Sequence, residues 1–299
     1  MTSLGKLAIA GVVLVVIGLV IMLTILGLNG WSLGEDYEMK NYNATTDITA
    51  LNWDFEMGQL KTEFYDGDKI YIEYPENNRF KTTITENAGT MTISSDWKFK
   101  LINIGHWFKK MPDTILKVPN DSILNLEFNI NAGQIDFASG NYGNVKVDMN
   151  AGTVNFENIN CSNFDLKVNA GTLKVQNITT GNAKFDMNAG DIKIAKIVSS
   201  DIYYKVNAGN IIIKEVECPK FTAKLNAGGL EVERAVVDDL NLDVNAGKIK
   251  FKVVGNKADY NISVEKDGGS CNLSNQIGIV PQKKITLDID AGSINIDFI

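Results

Sequence analysis

Cysteine, arginine and histidine are scarce in this 299-residue chain, and each scarcity argues against a class of protein. Three cysteines do not make the disulfide framework of a small secreted domain. A single histidine, His106, cannot build a zinc cluster. Two arginines and a net charge of −7 argue against nucleic acid as a partner.

Sequence patterns typical of enzymes are missing as well. There is no glycine-rich phosphate loop, no cysteine and histidine spacing of a metal site, and no nucleophile beside a base. Acidic residues such as Asp148, Asp186 and Asp243 share their repeat position with lysines, which is typical of a solvated surface. The sequence therefore predicts no catalytic residue, no cofactor and no metal site.

What the sequence does contain is a repeat. The triplet Asn-Ala-Gly returns every 19 residues, and a strict period of this size marks a repeat architecture. When each repeat is numbered from its asparagine, positions 5, 7, 15, 17 and 19 are apolar in every copy. This alternation indicates a short β-strand on each side of the triplet. The predicted repeat corners are Asn131 and Gly133, Asn150 and Gly152, Asn169 and Gly171, Asn188 and Gly190, Asn207 and Gly209, Asn226 and Gly228, and Asn245 and Gly247.

Two strands per repeat predict an all-β chain folded as a parallel β-solenoid with 19-residue coils. One coil cannot bury its own apolar edge, but coils stacked about 4.8 Å apart share one continuous core. The charges at positions 16 and 18 mostly alternate in sign from coil to coil, as in-register neighbours favour. We expect glycine to turn the corner, asparagines to hydrogen-bond along the stack, and the coil to be right-handed.

The triplet has a second interpretation, which is the turn of an antiparallel hairpin. A loop of two or four residues would match the apolar faces of the two strands. A meander of such hairpins would leave a long apolar face that needs a second layer, and the chain supplies none. The solenoid is therefore preferred.

The amino-terminal end carries an apolar run over residues 7–28 that contains no charged residue. At 1.5 Å per residue, this helix would be about 33 Å long, which is enough to span a bilayer. No signal-peptide cleavage site is evident, so we predict a retained single-pass anchor. Lys6 precedes the run and Glu35 and Asp36 follow it, which favours a cytoplasmic amino terminus and an extracellular main domain.

The predicted domains follow from these boundaries. Residues 1–28 contain the anchor, 29–43 the linker and 44–299 the solenoid. Within the solenoid, entry coils cover 44–130, regular repeats 131–254 and diverged terminal coils 255–299. The triplet at Asn87 precedes the next one by 44 residues, which indicates an insertion at about 94–118. Diverged triplets begin at Asp267 and Asp290, and the strand SINIDFI ends the chain.

The insertion interleaves aromatic residues with lysines. This composition suits a membrane interface, which the anchored end of the domain could reach. The alternative is a loop that folds its aromatic side chains over the edge of the solenoid. The predicted interface residues are Trp97, Lys98, Phe99, Lys100, Trp107, Phe108, Lys109 and Lys110.

The order of these features resembles the bacterial "putative adhesin" family over roughly residues 45–299. The resemblance rests on the anchor, the strand pair ITALNWDFEMGQLKTEFYDGDKIYIEYPE, the segment TILKVPNDSILNLEFNINAGQIDF and the triplet coils. It implies a membrane-anchored protein with a β-helical outer domain and a role in the cell envelope, including the envelope stress response. It brings no catalytic residues.

Three functions follow as hypotheses. The first is a non-enzymatic surface solenoid that binds or scaffolds, with the bilayer as partner through residues 7–28 and a cell-wall polymer or envelope protein as ligand. The second is a cytoplasmic, membrane-tethered solenoid that polymerises end to end and resembles bactofilins. That function needs an uncapped apolar terminal coil, for which SINIDFI is the candidate. The third is a polysaccharide-active β-helix enzyme.

Overall fold

The computed structural model describes residues 36–97 and 111–299, which are almost entirely β-structure. Across these residues, no helix has the length and apolarity needed to cross a membrane. The predicted span at 7–28 lies outside the described residues, as do His106 and the loop residues from Lys98 to Lys110. The strands are β1 (Glu38–Asn43), β2 (Ala50–Phe55), β3 (Gln59–Tyr65), β4 (Tyr71–Glu76), β5 (Phe80–Asn87), β6 (Thr90–Trp97), β7 (Thr114–Pro119), β8 (Leu124–Ile130), β9 (Gln134–Phe137), β10 (Gly140–Val206), β11 (Asn210–Val253), β12 (Asn261–Lys266), β13 (Ser270–Cys271), β14 (Lys284–Ile289) and β15 (Ser293–Phe298).

The regular repeats form parallel coils in a 19-residue register. β10 and β11 pair in parallel, with Ile192 beside Ile211 and Val206 beside Leu225. The corners belong to the same ladder, because the amide of Ala208 donates to the carbonyl of Asn188 at 2.9 Å. The predicted all-β, solenoid-like fold is therefore confirmed, and the regular triplets do not close hairpins.

The apolar repeat positions all point into one core. Positions 5, 7, 10, 15, 17 and 19 are buried from coil to coil, as the stacking of identical positions requires. Aromatic rings form a chain through this core, with Phe137 on Phe156 at 4.5 Å and Phe185 on Tyr204 at 4.4 Å between ring centroids. The core is thus continuous along the stack.

Position 12 also faces inward, although its residues are chemically mixed. Thr180 and Ser199 are buried there, and the hydroxyl of each lies within hydrogen-bonding distance of two backbone carbonyls, to either of which it can donate. Self-contained hydrogen bonds of this kind let a polar residue occupy an interior column. The other members of the column include Tyr142, Cys161, Cys218 and Val237.

The first coil of the solenoid is β2, the corner Glu56-Met57-Gly58, and β3. β2 lies between β6 and β8, so that Leu51 pairs with both Met91 and Leu126. β3 lies in the same way between β7 and β9. The outermost parallel level is therefore formed by β6 and β7, which come later in the sequence than β2 and β3. The two ends of the predicted insertion belong to these strands, since β6 extends to Trp97 and β7 begins at Thr114.

The early triplet at Asn87 is a hairpin turn and not a solenoid corner. β5 and β6 are antiparallel, and Asn87 pairs with Thr90 across the turn. Ala88 and Gly89 have φ angles of 48° and 76°, the left-handed values that a two-residue type I′ turn requires. Here the alternative interpretation of the triplet is the correct one, because β5 covers an edge that has no further coil beside it.

The last two coils stack in the reverse of their order in the sequence. β14 and β15 pair directly with β11, while β12 and β13 lie outside them. The segment SINIDFI is therefore not the terminal coil, and the expectation that it offers an open end was wrong. The side chain of Asn272 caps the outer edge of β15, since it accepts from the amide of Ile296 at 2.9 Å and donates to its carbonyl at 2.8 Å.

The outermost strand β12 has its own cover. Ile262 exchanges two backbone hydrogen bonds of 2.9 Å with Gln276, and Asn275 Oδ1 accepts from the amide of Val264 at 2.6 Å. These bonds occupy donors that would otherwise face a neighbouring molecule. At the opposite end, the antiparallel strands β5, β4 and β1 cover the stack.

Glu86 ties the chain entry to the β5 hairpin. Its carboxylate accepts five hydrogen bonds of 2.6–2.9 Å, from the hydroxyl of Tyr42 and from the amides and hydroxyls of Thr45 and Thr46. Desolvation raises its pKa, but the hydrogen bonds from Thr46, Thr45 and Tyr42 outweigh this effect and lower the pKa to about 2.

We expect Tyr204→Phe to stabilise the fold. The hydroxyl of Tyr204 is buried in the aromatic chain and has no hydrogen-bond partner among the described residues, and its removal should raise the free energy of unfolding by about 1 kcal/mol. Tyr260→Phe is the control, because it removes a 2.6 Å bond to the carbonyl of Val237 and should lower stability by about the same amount. Thermal unfolding of the detergent-solubilised full chain measures both, and a loss of stability in Tyr204→Phe would contradict the expectation.

We expect the Glu86 contribution to stability to depend on pH. The folded-state pKa lies below the ordinary value of 4.5, so the contribution is complete above pH 4.5 and is lost as the pH falls to about 2. Thermal unfolding should show Glu86→Gln less stable than the parent chain at pH 7, with the difference shrinking toward pH 2. Glu265→Gln, an exposed site on β12, should unfold like the parent at pH 7. A difference that is the same at pH 7 and pH 2 would refute this assignment.

Candidate binding face

The predicted corner asparagines form a directional ladder along the stack. Each side-chain amide donates to the Oδ1 atom of the asparagine one coil earlier, at 2.6–2.9 Å between Asn169 and Asn245 and at 3.5 Å from Asn150 to Asn131. The ladder ends on a carboxylate, because Asn131 Nδ2 donates to Glu56 Oε2 at 2.9 Å. These residues therefore have a structural role in the corner.

The corner glycines permit close contact between coils. Gly190 has a φ of +125°, and a Cβ atom there would lie 2.0 Å from the carbonyl oxygen of Gly171. Larger residues are therefore excluded both by the backbone conformation and by the neighbouring coil.

Two outer faces flank this corner, and the first is charge-compensated. We call the surface of positions 16 and 18 face A. Most of its charges pair between adjacent coils, as the alternation of signs in the sequence indicated, although Lys205 stacks on Lys224 and has no ion pair among the described residues. The pairs are Lys146 with Glu127 at 2.6 Å, Lys167 with Asp148 at 3.2 Å, Lys184 with Asp165 at 3.8 Å and Lys224 with Asp243 at 3.2 Å.

The surface of positions 6 and 8, which we call face B, carries an open groove of about 750 Å³. The groove runs from Lys61 on β3 to Lys214 on β11 and so crosses six coils. At about 4.8 Å per coil, its length is roughly 24 Å. A groove of this shape suits an elongated ligand.

Two of the charged groups at the β3 end of the groove, Asp136 and Lys61, are paired within the protein, whereas Glu63 is exposed and has no ion pair among the described residues. Asp136 accepts hydrogen bonds from Gln59 at 3.1 Å, Gln134 at 2.9 Å and Asn155 at 2.5 Å. Desolvation raises the pKa of Asp136, but these hydrogen bonds outweigh it, so the pKa lies below its usual value. Lys61 pairs with Asp113 at 2.7 Å.

The charges at the other end of the groove have no partners. Lys174, Lys193 and Lys214 are exposed, and none of them makes an ion pair or side-chain hydrogen bond within the part of the chain that the structure describes. Lys174 and Lys193 occupy the same column in adjacent coils, an arrangement of like charges that costs stability. Ile212, which is 37% exposed, follows Lys193 in this column.

The sequence contained a pattern that could have identified this basic cluster. Column 6 breaks the alternation of signs, since lysine follows lysine at 174 and 193. The interpretation of the sequence rested on columns 16 and 18, which form face A.

No group of three metal-ligating side chains converges anywhere in residues 36–97 or 111–299. Cys161, Cys218 and Cys271 are free thiols.

We expect Asp290→Asn to extend the corner ladder. The amide of Ala291 donates to the carbonyl of Asn245 at 2.7 Å, so Asp290 stacks on Asn245 from the next coil. The carboxylate of Asp290 has no N–H group to donate to Asn245 Oδ1. An asparagine there should raise the free energy of unfolding by about 0.5–1.5 kcal/mol in thermal unfolding. The control Asn188→Asp should lower it, because Asn169 loses its donor. An unchanged or lower stability of Asp290→Asn would show that the ladder ends at Asn245.

Comparisons with known proteins agree with this architecture. A "putative adhesin" from Parabacteroides distasonis ATCC 8503 is 14% identical with a TM-score of 0.51, and the match covers 89% of this chain and 98% of that chain. A "putative adhesin" from Parabacteroides merdae ATCC 43184 is 15% identical with a TM-score of 0.49 over the same shares. At 14% identity, the likeness to the Parabacteroides distasonis structure concerns the fold alone.

Comparison with curated proteins gives no match. The family model described as Toastrack DUF4097 matches residues 47–297, which include nearly all of the strands. The resemblance drawn from the sequence is thereby confirmed. The chain belongs to the Toastrack DUF4097 family.

Proposed function

We propose that this protein is a non-enzymatic, adhesin-like binding module of the cell envelope, held at the membrane by residues 7–28. The observation that carries the proposal is the groove on face B, which is long, open and lined at one end by unpartnered lysines. Binding requires a surface of fixed shape, and the coil ladder supplies one. The Parabacteroides distasonis neighbour is named an adhesin, and the proposal extends that kind of role to this chain.

The proposed topology has a cytoplasmic amino terminus and an extracellular, right-handed solenoid. The apolar run at 7–28 is preceded by Lys6 and followed by Glu35 and Asp36, which supports this orientation. The polymerising alternative needs an uncapped terminal coil. In the described residues, the outermost strand β12 is covered by residues 275–276, so no observation favours that alternative.

A protease experiment tests the proposed location. Cells from which the wall has been removed, but whose membrane is intact, are treated with protease, and the fate of the domain is followed with an antibody. We expect digestion from outside, because the domain follows the span on the extracellular side. A cytoplasmic protein in the same cells is the control and must stay intact. Protection of the domain until the cells are lysed would overturn the extracellular location and favour the cytoplasmic alternative.

A further inference from the structure

We infer that the ligand of the face B groove is a linear anionic glycan or polyol polymer, whose acid groups bind Lys174, Lys193 and Lys214. This inference rests on the proposed binding function and names its ligand class. The three lysines are exposed, line one groove and have no acidic partner among the described residues. In a chain of net charge −7, such a basic cluster marks a place for an external anion.

The spacing of the lysines suits a polymer with repeated acid groups. Lys174 and Lys193 stand on adjacent coils, about 4.8 Å apart along the stack. Lys214 lies on the next coil and two residues further along its strand, which places it diagonally about 7–8 Å from Lys193. A single small anion would contact only part of this row, whereas a chain laid along the groove contacts all of it.

The groove also offers polar side chains to the hydroxyl groups of a ligand. The exposed side chain of Gln176 lines the groove two residues beyond Lys174, and the exposed Ser139 lines it nearer the β3 end. Asn155 lines the groove as well, but its Oδ1 atom is buried and its Nδ2 atom donates to Asp136, so Gln176 is the more accessible partner. Hydroxyl donors and acid groups on one chain are the chemistry of an anionic glycan or a polyol phosphate.

An acidic peptide fits less well. Peptides that add to a sheet use the hydrogen bonds of an exposed strand edge. The groove instead lies across the face of stacked strands, whose backbone groups already pair with the coils on either side, as Lys193 with Ile212. Recognition in the groove therefore depends on side chains, and a peptide in the groove lacks the backbone pairing on which recognition at a sheet edge depends.

Binding of defined polymers to the detergent-solubilised full chain tests the inference. The probes are polygalacturonate and poly(glycerol phosphate), with polyglutamate as the acidic peptide and dextran as the neutral glycan. The groove variant is Lys174→Gln with Lys193→Gln and Lys214→Gln. The control variant is Lys205→Gln with Lys266→Gln and Lys284→Gln, which removes the same charge from exposed lysines outside the groove that also make no ion pair in the part of the chain that the structure describes.

We expect one or both anionic polyhydroxy polymers to bind, with an affinity that falls as salt is added. The groove variant should bind about tenfold more weakly, since each exposed ion contact contributes modestly, while the control variant changes less than twofold. Polyglutamate and dextran should bind at least tenfold more weakly than the preferred polymer.

Three outcomes overturn the inference. Equal losses in the groove and control variants would show general charge attraction, and equally tight binding of polyglutamate would show that hydroxyl groups play no part. Absence of binding to both anionic polymers, in a protein that protease reaches from outside the cell, would reject this ligand class and leave the proposed surface location standing. Circular dichroism and thermal unfolding confirm that both variants are folded.

Discussion

The in-register parallel ladder between coils is the interaction on which the rest of the structure depends. Backbone hydrogen bonds hold each residue beside the residue 19 positions away, as Ile192 beside Ile211 shows. One residue type at one repeat position therefore becomes a column that runs the length of the stack. The asparagine ladder, the aromatic chain and the ion pairs of face A all follow from this register, because each depends on like positions lying about 4.8 Å apart.

A stack of parallel coils has two open ends, and this chain closes both by similar means. At each end the outermost parallel level is formed by a segment that is not outermost in the sequence, so that β2 and β14 are enclosed between neighbouring strands. Antiparallel strands or a loop then cover what remains. Exposed strand edges promote association with other chains, so these covers favour a solenoid that binds through its faces over one that polymerises through its ends.

The two faces of the solenoid differ in how their charges are satisfied, and this difference bears on function. Face A consists of pairs such as Lys146 with Glu127, which leave few charges for a ligand. Face B combines a satisfied acid cluster at Asp136 with unpartnered lysines at 174, 193 and 214. Face A also stacks two lysines, Lys205 and Lys224, but Lys224 pairs with Asp243. None of the three groove lysines makes an ion pair within the described residues, and this supports the proposed binding site.

The sequence by itself determined the repeat length, the strand pair in each coil and the core columns at positions 5, 7, 15, 17 and 19. These are local patterns, and the stacking of identical coils repeats them without change. It could not determine the meaning of the triplet at Asn87, since the same three residues form a parallel corner or a hairpin turn according to which strands lie beside them. Tertiary structure alone decided the exchanged order of the terminal coils and the burial of the polar residues Thr180 and Ser199 at position 12. It also brought β3, β9 and the lysine coils into one groove, because these placements depend on pairings between residues distant in sequence.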